Sequence, residues 1–299
     1  MIPKDYPRPN MYRKTWRSLN GTWGFDFYDD AFVLAHKEKL SEPLSRSIRV
    51  PFTYQTRLSG IDSQEIHERM LYRRKIELSD AERDGRVRLH FAAVDFMTEV
   101  LIDGECVGSH TGGYTPFSYD ISHFFRNTSE VTLSLVVEDK PSPDQPRGKQ
   151  AVAAPFACWY TAVSGVWQSV WLEFLPEMHI AALDGQQNAE AGSADFRVQL
   201  SGPCNQFHLA AEVWFDGKQV AARTCDCAYP STEVHFDIPD AKQWSPENPN
   251  MYEVQFFLMR GEVVLDQVET YLSFRKIDVR KDGLYINQDK YFQRLVLMQ

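Results

Sequence analysis

The chain has 299 residues, a formal net charge of -9, 43% hydrophobic and 24% charged residues, and no clustered basic stripe. Phosphate binding rests on grouped Lys and Arg, so nucleic acid is not an expected partner. No apolar run approaches the ~20 residues of a membrane helix, so no membrane partner is expected, and the opening Met1-Ile2-Pro3-Lys4-Asp5-Tyr6 lacks the apolar core of a secretory signal, which predicts a cytoplasmic protein.

The first element in chain order is the block Trp16-Arg17-Ser18-Leu19-Asn20-Gly21-Thr22-Trp23-Gly24-Phe25, where a polar Asn-Gly turn feeds aromatic residues into a strand. Residues Ala31 to Leu40 carry helical spacing, with Asp29 or Asp30 as the cap and Phe32, Leu34 and Ala35 facing inward. From there the period is two. Val87, Leu89 and Phe91 alternate with Arg86, Arg88 and His90, and Val131, Leu133 and Leu135 alternate with Thr132 and Ser134. Such alternation puts one strand face on a core and the other toward water. The Pro-rich run Lys140 to Gly148 must leave the sheet, because Pro has no N–H to give a ladder. Trp167 to Phe174 is apolar on both faces, as in a central strand, and places Trp167 and Trp171 on one side, suited to an interface or to stacking on a sugar.

A boundary falls near Leu175-Pro176-Glu177, followed by the polar run Asp184 to Ser193. Alternation resumes at Phe207, Leu209, Ala211, Val213 and Phe215, then at Val234, Phe236 and Ile238. Asp103-Gly104, Asp216-Gly217 and Asp282-Gly283 supply the positive φ of tight hairpins. Strand follows strand without alternating helices, so the expected class is all-β. Residues 1–176 suit a jelly-roll sandwich. Residues 177–273 suit an immunoglobulin-like sandwich of ~100 residues, although the inter-sheet disulfide of that fold is missing. Residues 274–299 read as a hairpin and an apolar strand, Leu295 to Met298. The five Cys are scattered, and Cys225-x-Cys227 has no second pair, so neither a metal nor another cofactor is expected.

Five stretches together resemble glycoside hydrolase family 2, which includes β-galactosidases and β-glucuronidases. They are the Trp16–Phe25 block, Val50-Pro51-Phe52, Leu71-Tyr72-Arg73-Arg74, Ser164-Gly165-Val166-Trp167-Gln168-Ser169-Val170-Trp171-Leu172, and Trp244-Ser245-Pro246-Glu247-Asn248-Pro249-Asn250-Met251-Tyr252. Phe274-Arg275-Lys276-Ile277 followed by Leu284-Tyr285-Ile286-Asn287 resembles the hairpin leading into that family's catalytic barrel. Gln145-Pro146-Arg147-Gly148-Lys149-Gln150 resembles a bacterial branch of the family. The resemblance implies a galactose-binding-like jelly roll, an immunoglobulin-like sandwich and the first residues of a (β/α)₈ barrel truncated at residue 299.

Family members cleave terminal β-linked sugars with retention, using two Glu at barrel strand ends. The resemblance therefore implies a glycosidase, with β-galactoside favoured over β-glucuronide, whose catalytic residues are absent from residues 1–299. Acidic residues such as Glu65, Glu68, Asp95, Glu99 and Asp103 are spread along the chain without a pairing pattern. In the family, two first-domain loops reach the active-site rim. They correspond to residues 64–70, with Glu68 and Arg69, and residues 158–161, with Trp159 and Tyr160. Several relatives carry an acidic residue where Trp159 stands, so Trp159 or Tyr160 would stack on a sugar or pack against a barrel instead. A carbohydrate-binding or assembly module is the alternative, and homo-oligomer formation is left open.

Overall fold

The computed structural model describes residues 2–29, 40, 42–140, 142, 144–152 and 154–297. The chain is all-β and divides into two compact units, Thr15–Phe174 and a second built from residues 2–14 with residues 175–297. The helix expected over Ala31–Leu40 falls on residues 31–39, outside the described residues.

The first unit is a jelly-roll sandwich. Its strands are β1 (Trp16–Ser18), β2 (Gly21–Phe27), β3 (Arg46–Val50), β4 (Arg69–Glu77), β5 (Arg86–Phe91), β6 (Val94–Asp95), β7 (Met97–Ile102), β8 (Glu105–Thr111), β9 (Phe117–Asp120), β10 (Glu130–Glu138), β11 (Gly165–Val166) and β12 (Val170–Leu175). One sheet runs β3-β2-β4-β10-β7-β8, the other β1-β12-β5-β9, and β6 pairs with β11. The alternating residues form the core between them: Val87, Leu89 and Phe91 from β5, and Val131, Leu133, Leu135 and Val137 from β10, all buried with Trp23, Phe25 and Tyr72. Each such side chain contributes about 1.5–3 kcal/mol on burial. The period-two pattern does not expose every intervening residue. Ser134 and Val136 are also buried, because Leu71, Leu101 and Leu44 build a small apolar cluster on the outer face of the larger sheet. His90 is buried as well, stacked on Trp171 with ring centroids 4.8 Å apart and 3.2 Å from Glu173.

The second unit is an immunoglobulin-like sandwich of β13 (Ile180–Asn188), β14 (Ser193–Leu200), β15 (His208–Phe215), β16 (Lys218–Asp226), β17 (Ser231–Asp237), β18 (Tyr252–Arg260) and β19 (Val263–Leu272). The sheets are β13-β14-β17 and β16-β15-β18-β19. Phe196, Phe236, Phe256 and Val213 fill the space between them. Asp103-Gly104 and Asp216-Gly217 turn the β7–β8 and β15–β16 hairpins with positive φ at both residues, as a two-residue loop of this hand requires. Residues 2–14, grouped with the first domain on sequence grounds, belong instead to this unit. Tyr12 exchanges backbone hydrogen bonds with Glu269, and the buried Arg13 guanidinium takes both carboxylate oxygens of Asp266 at 3.0 and 2.9 Å.

The Trp244–Tyr252 segment is a corner closed by mutual backbone bonds between Ser245 and Asn248. It also receives the terminal meander β20 (Ile277–Arg280), β21 (Gly283–Ile286) and β22 (Asp289–Tyr291). Asn287 Nδ2 donates to Trp244 O at 2.8 Å, and Arg275 lies over the Trp244 ring at 4.9 Å. Residues 292–297 carry no strand and are exposed.

Candidate functional site

The four residues singled out from the sequence lie at two places in the first sandwich. Arg69 opens β4 and Glu68 immediately precedes it. Arg69 is buried and bonds Glu138 through Nε and Nη2, both at 2.9 Å, while Glu68 faces Lys140 at 3.7 Å. The Asp29 carboxylate takes the backbone N–H of Glu68 at 2.8 Å and the His67 ring at 2.8 Å. Burial pushes the Asp29 carboxyl up, but the hydrogen bonds from His67, Glu68 and Arg69 outweigh it and leave the group below its ordinary value. His67, in the loop before β4, lies flat on Phe27 with ring centroids 3.5 Å apart. This corner is a consolidated ion and hydrogen-bond network that joins β4 to the end of β10.

Trp159 and Tyr160 lie on the long excursion between β10 and β11, 42% and 48% exposed. Backbone bonds pin the excursion into shape: Tyr160 N–H to Lys149 O and Ala151 N–H to Tyr160 O, both 2.8 Å. Pro146, Arg147, Gln150, Val152, Phe156 and Trp159 are among the residues lining a cavity of about 530 Å³ here. Phe156 and Trp159 are tilted neighbours with ring centroids 6.5 Å apart. A mostly apolar concavity with exposed aromatic faces and a few amide and guanidinium groups suits a ligand with a flat apolar side and hydroxyl groups.

Behind that cavity sits a group that the sequence reading missed. Asp95, Asp139 and Arg147 are 7%, 2% and 8% exposed. Ser164 Oγ donates to Asp139 Oδ2 at 2.5 Å. Arg147 Nη1 donates to Gln145 Oε1 at 3.1 Å, and its Nη2 to Ala151 O at 3.4 Å. Gln150 Oε1 accepts the Val163 N–H at 2.7 Å, and its amide donates to the Tyr114 hydroxyl at 3.2 Å. Gly113 and Gly165 make the close approaches here. A Cβ on Gly113 would overlap the Asp95 carboxylate, and one on Gly165 (φ +86°) would overlap the Tyr72 hydroxyl, which accepts the Val166 N–H. Trp167, in the break between β11 and β12, donates its indole N–H to Gly113 O at 2.8 Å. Burial, then the neighbouring Asp139, pushes the Asp95 carboxyl up to about 7 against the opposing pull of Arg147 and Gln150. Asp139 is raised too, by burial, with Ser164 and Arg147 opposing. Two buried carboxylates thus lie within electrostatic reach of the buried Arg147 guanidinium.

This pair does not offer the geometry of a glycosidase. Retaining hydrolysis needs two carboxyl groups ~5–5.5 Å apart flanking an open sugar site, whereas Asp139 is sealed and held by Ser164 and Asp95 is capped by Gly113. No helix among the described residues is long and apolar enough to cross a membrane.

The model for the sugar binding domain of glycosyl hydrolases family 2 matches residues 16–176, and a second model described as glycosyl hydrolases family 2 matches residues 178–275. Among curated proteins, a putative beta-glucuronidase of Formosa agariphila is 22% identical over 298 residues, spanning 97% of this chain and 35% of the relative. A beta-galactosidase of Thermoanaerobacter pseudethanolicus is 25% identical over 226 residues, 72% of this chain and 30% of the relative. Among solved structures, Bifidobacterium dentium beta-glucuronidase complexed with coumarin-3-O-glucuronide superposes with a TM-score of 0.75 at 18% identity, over 94% of this chain and 52% of that one. The chain therefore spans about a third of the length of these curated relatives and about half of the solved chain.

Proposed function

Because the chain belongs to glycoside hydrolase family 2, with both models in tandem over residues 16–275, we propose that it is the two-sandwich, non-catalytic portion of a retaining β-glycosidase acting on terminal β-linked sugars. The tandem match is the observation that carries this reading. β-Galactosides are favoured over β-glucuronides, a preference supported by the beta-galactosidase of T. pseudethanolicus among the relatives and opposed by the putative beta-glucuronidase. The Asp95–Asp139 pair is sealed rather than open to a sugar, so residues 1–299 alone are expected to be silent. The chain's contribution to sugar binding is the 145–163 excursion, with Trp159 and Tyr160 as the contacting rings. Glu68 and Arg69 support the sandwich corner rather than a ligand, since Arg69 is fully engaged with Glu138.

The test is an assay of the 299-residue chain with chromogenic β-galactoside and β-glucuronide. No turnover is expected, and turnover that survives repurification overturns the reading. In a longer protein that does turn over substrate, Trp159→Ala is expected to raise KM severalfold with kcat retained, as loss of a stacking contact does. An unchanged KM removes Trp159 from the site. The exposed rings around the cavity also favour a second reading, a carbohydrate-binding module that acts without hydrolysis. Calorimetric titration of the chain with galactose and glucuronic acid separates the two, because the first reading expects no saturable heat from the chain alone.

A further inference from the structure

The turn Phe156-Ala157-Cys158-Trp159 is closed by the Trp159 N–H on Phe156 O at 2.9 Å, with Ala157 at a φ of +48°. It sets two aromatic rings side by side, their planes 33° apart, with Phe156 66% and Trp159 42% exposed. Both rings, together with Pro146 and the exposed Val152, line the cavity of about 530 Å³. That volume lies within the ~300–1,000 Å³ of small-molecule sites. The polar side chains of the same wall are turned toward protein partners. Gln150 accepts the Val163 N–H on its oxygen and donates its amide to the Tyr114 hydroxyl. Arg147 places Nη1 on Gln145 and Nη2 on Ala151 O. A pyranose carries hydroxyls around its whole rim, and each that leaves water here without gaining a partner opposes binding. A flat aromatic group gives up little on leaving water and gains contact with two ring faces. Resting on the glycosidase reading above, we propose that this cavity holds the neutral aromatic aglycone of a β-glycoside, with Val152, Phe156 and Trp159 as its contacts.

The preference for a neutral group follows from the surroundings of Arg147. Its guanidinium is buried, and the carboxylates of Asp95 and Asp139 lie within electrostatic reach, so an anionic ligand would meet a cation that is already compensated. Arg147 Nε is buried and has no hydrogen-bond partner. A single acceptor, such as an oxygen carried on the aromatic ring, is what that donor lacks. Trp159 then meets the substrate through the aglycone. Tyr160, which does not line the cavity, is left to the sugar. The substrate class that fits is an aryl glycoside, in preference to an alkyl glycoside or an oligosaccharide whose next sugar would have to enter the same apolar wall.

Calorimetric titration of the 299-residue chain with 2-naphthol, 2-naphthyl β-galactoside and methyl β-galactoside tests it, with the bound position mapped by amide NMR. The two naphthyl compounds are expected to bind saturably, with a Kd of about 1 mM or tighter, and to shift the amides of Val152, Phe156 and Trp159. Methyl β-galactoside should give no saturable heat, and the anionic 2-naphthoate should bind no more tightly than 2-naphthol. Phe156→Ala and Trp159→Ala should each weaken 2-naphthol binding about three- to tenfold. If a ring variant does not fold, Val152→Glu on the exposed rim carries the same test, because a carboxylate in the apolar wall should weaken binding about tenfold. Any of four results overturns the proposal: no 2-naphthol binding up to about 3 mM, shifts confined to regions away from residues 145–163, an affinity unchanged in the folded variants, or methyl β-galactoside or 2-naphthoate binding more tightly than its naphthyl counterpart. None of these readouts depends on turnover. A longer protein inactive on every β-glycoside would therefore overturn the glycosidase reading alone, and a chain that ignores 2-naphthol would overturn the aryl site alone.

Discussion

The first sandwich seats Trp23, Phe25 and Leu89 in its core and, at the base of one long excursion, two buried carboxylates, Asp95 and Asp139, within electrostatic reach of Arg147. The second seats Phe196, Phe236 and Phe256 and holds the guanidinium of Arg13 in a two-point grip on Asp266, 2% and 4% exposed. Both arrangements bury charge, but the stoichiometry differs. One cation matched to one anion with paired hydrogen bonds is satisfied over the whole range in which carboxylates are ionised. Two anions near one cation leave the charges unmatched while both are ionised. The second arrangement is a fixed fastener, whereas in the first Arg147 bonds Gln145 and Ala151. The difference lies in partner count and hydrogen-bond geometry rather than in depth of burial.

Removing one partner of the fixed pair should have the largest effect. Arg13→Ala leaves Asp266 buried without its cation and is expected to cost about 3–5 kcal/mol, read as earlier urea unfolding of the second sandwich by exchange at β18 and β19 amides. A loss below about 1 kcal/mol would mean that the pair is no fastener, and the contrast would fail. A smaller effect is expected from Gly165→Ala in the first sandwich, about 1–3 kcal/mol from the left-handed backbone alone, with the overlap on Tyr72 adding to it. Near-UV circular dichroism in urea reports this, and a midpoint equal to that of the native chain would show that the β11 strand has room to shift. The smallest effect belongs to His235, on the exposed face of β17, whose ring bonds Asp195 at 2.7 Å and Asp237 at 3.1 Å. Those hydrogen bonds raise its pKa, Asp195 first. Any stability from it is present below the ordinary histidine range and lost as pH rises through the raised value. Asp195→Asn should lower the His235 midpoint in an NMR titration while the unfolding curve stays in place. An unmoved midpoint would show that the crossed-strand pair does not persist in solution.

Much of this architecture was legible from period-two spacing and turn chemistry. Val87, Leu89 and Phe91 occupy the core as their alternation requires, and Asp103-Gly104 turns a hairpin because its backbone can take positive φ. The residues that broke the pattern did so for reasons that lie far along the chain. Val136 is buried on the outer face only because Leu71 and Leu101 arrive from neighbouring strands. The Asp95–Asp139 group was invisible because long-range pairing, not spacing, sets β11 against β6 and Ser164 against Asp139. Arg69 looked available to a ligand while Glu138, its partner across the β4–β10 ladder, was an unremarkable residue at the end of another strand. Trp159 was found through resemblance, and its partial exposure beside Phe156 and the cavity keeps it in view.

The Arg13–Asp266 fastener also has a consequence in time. Its partners are separated by 253 residues, so the acidic half reaches the ribosomal exit long after the basic half. At synthesis rates of about 5–20 residues per second, Arg13 waits roughly 13–50 s for Asp266. The first sandwich, whose strands lie wholly between these two residues, has all of its chain available in that interval, whereas Arg13 stays without its carboxylate partner until Asp266 is made. Arg13 is thus made before the first sandwich yet finds its carboxylate after it, so removal of residues 2–14 would be felt in the second sandwich rather than the first.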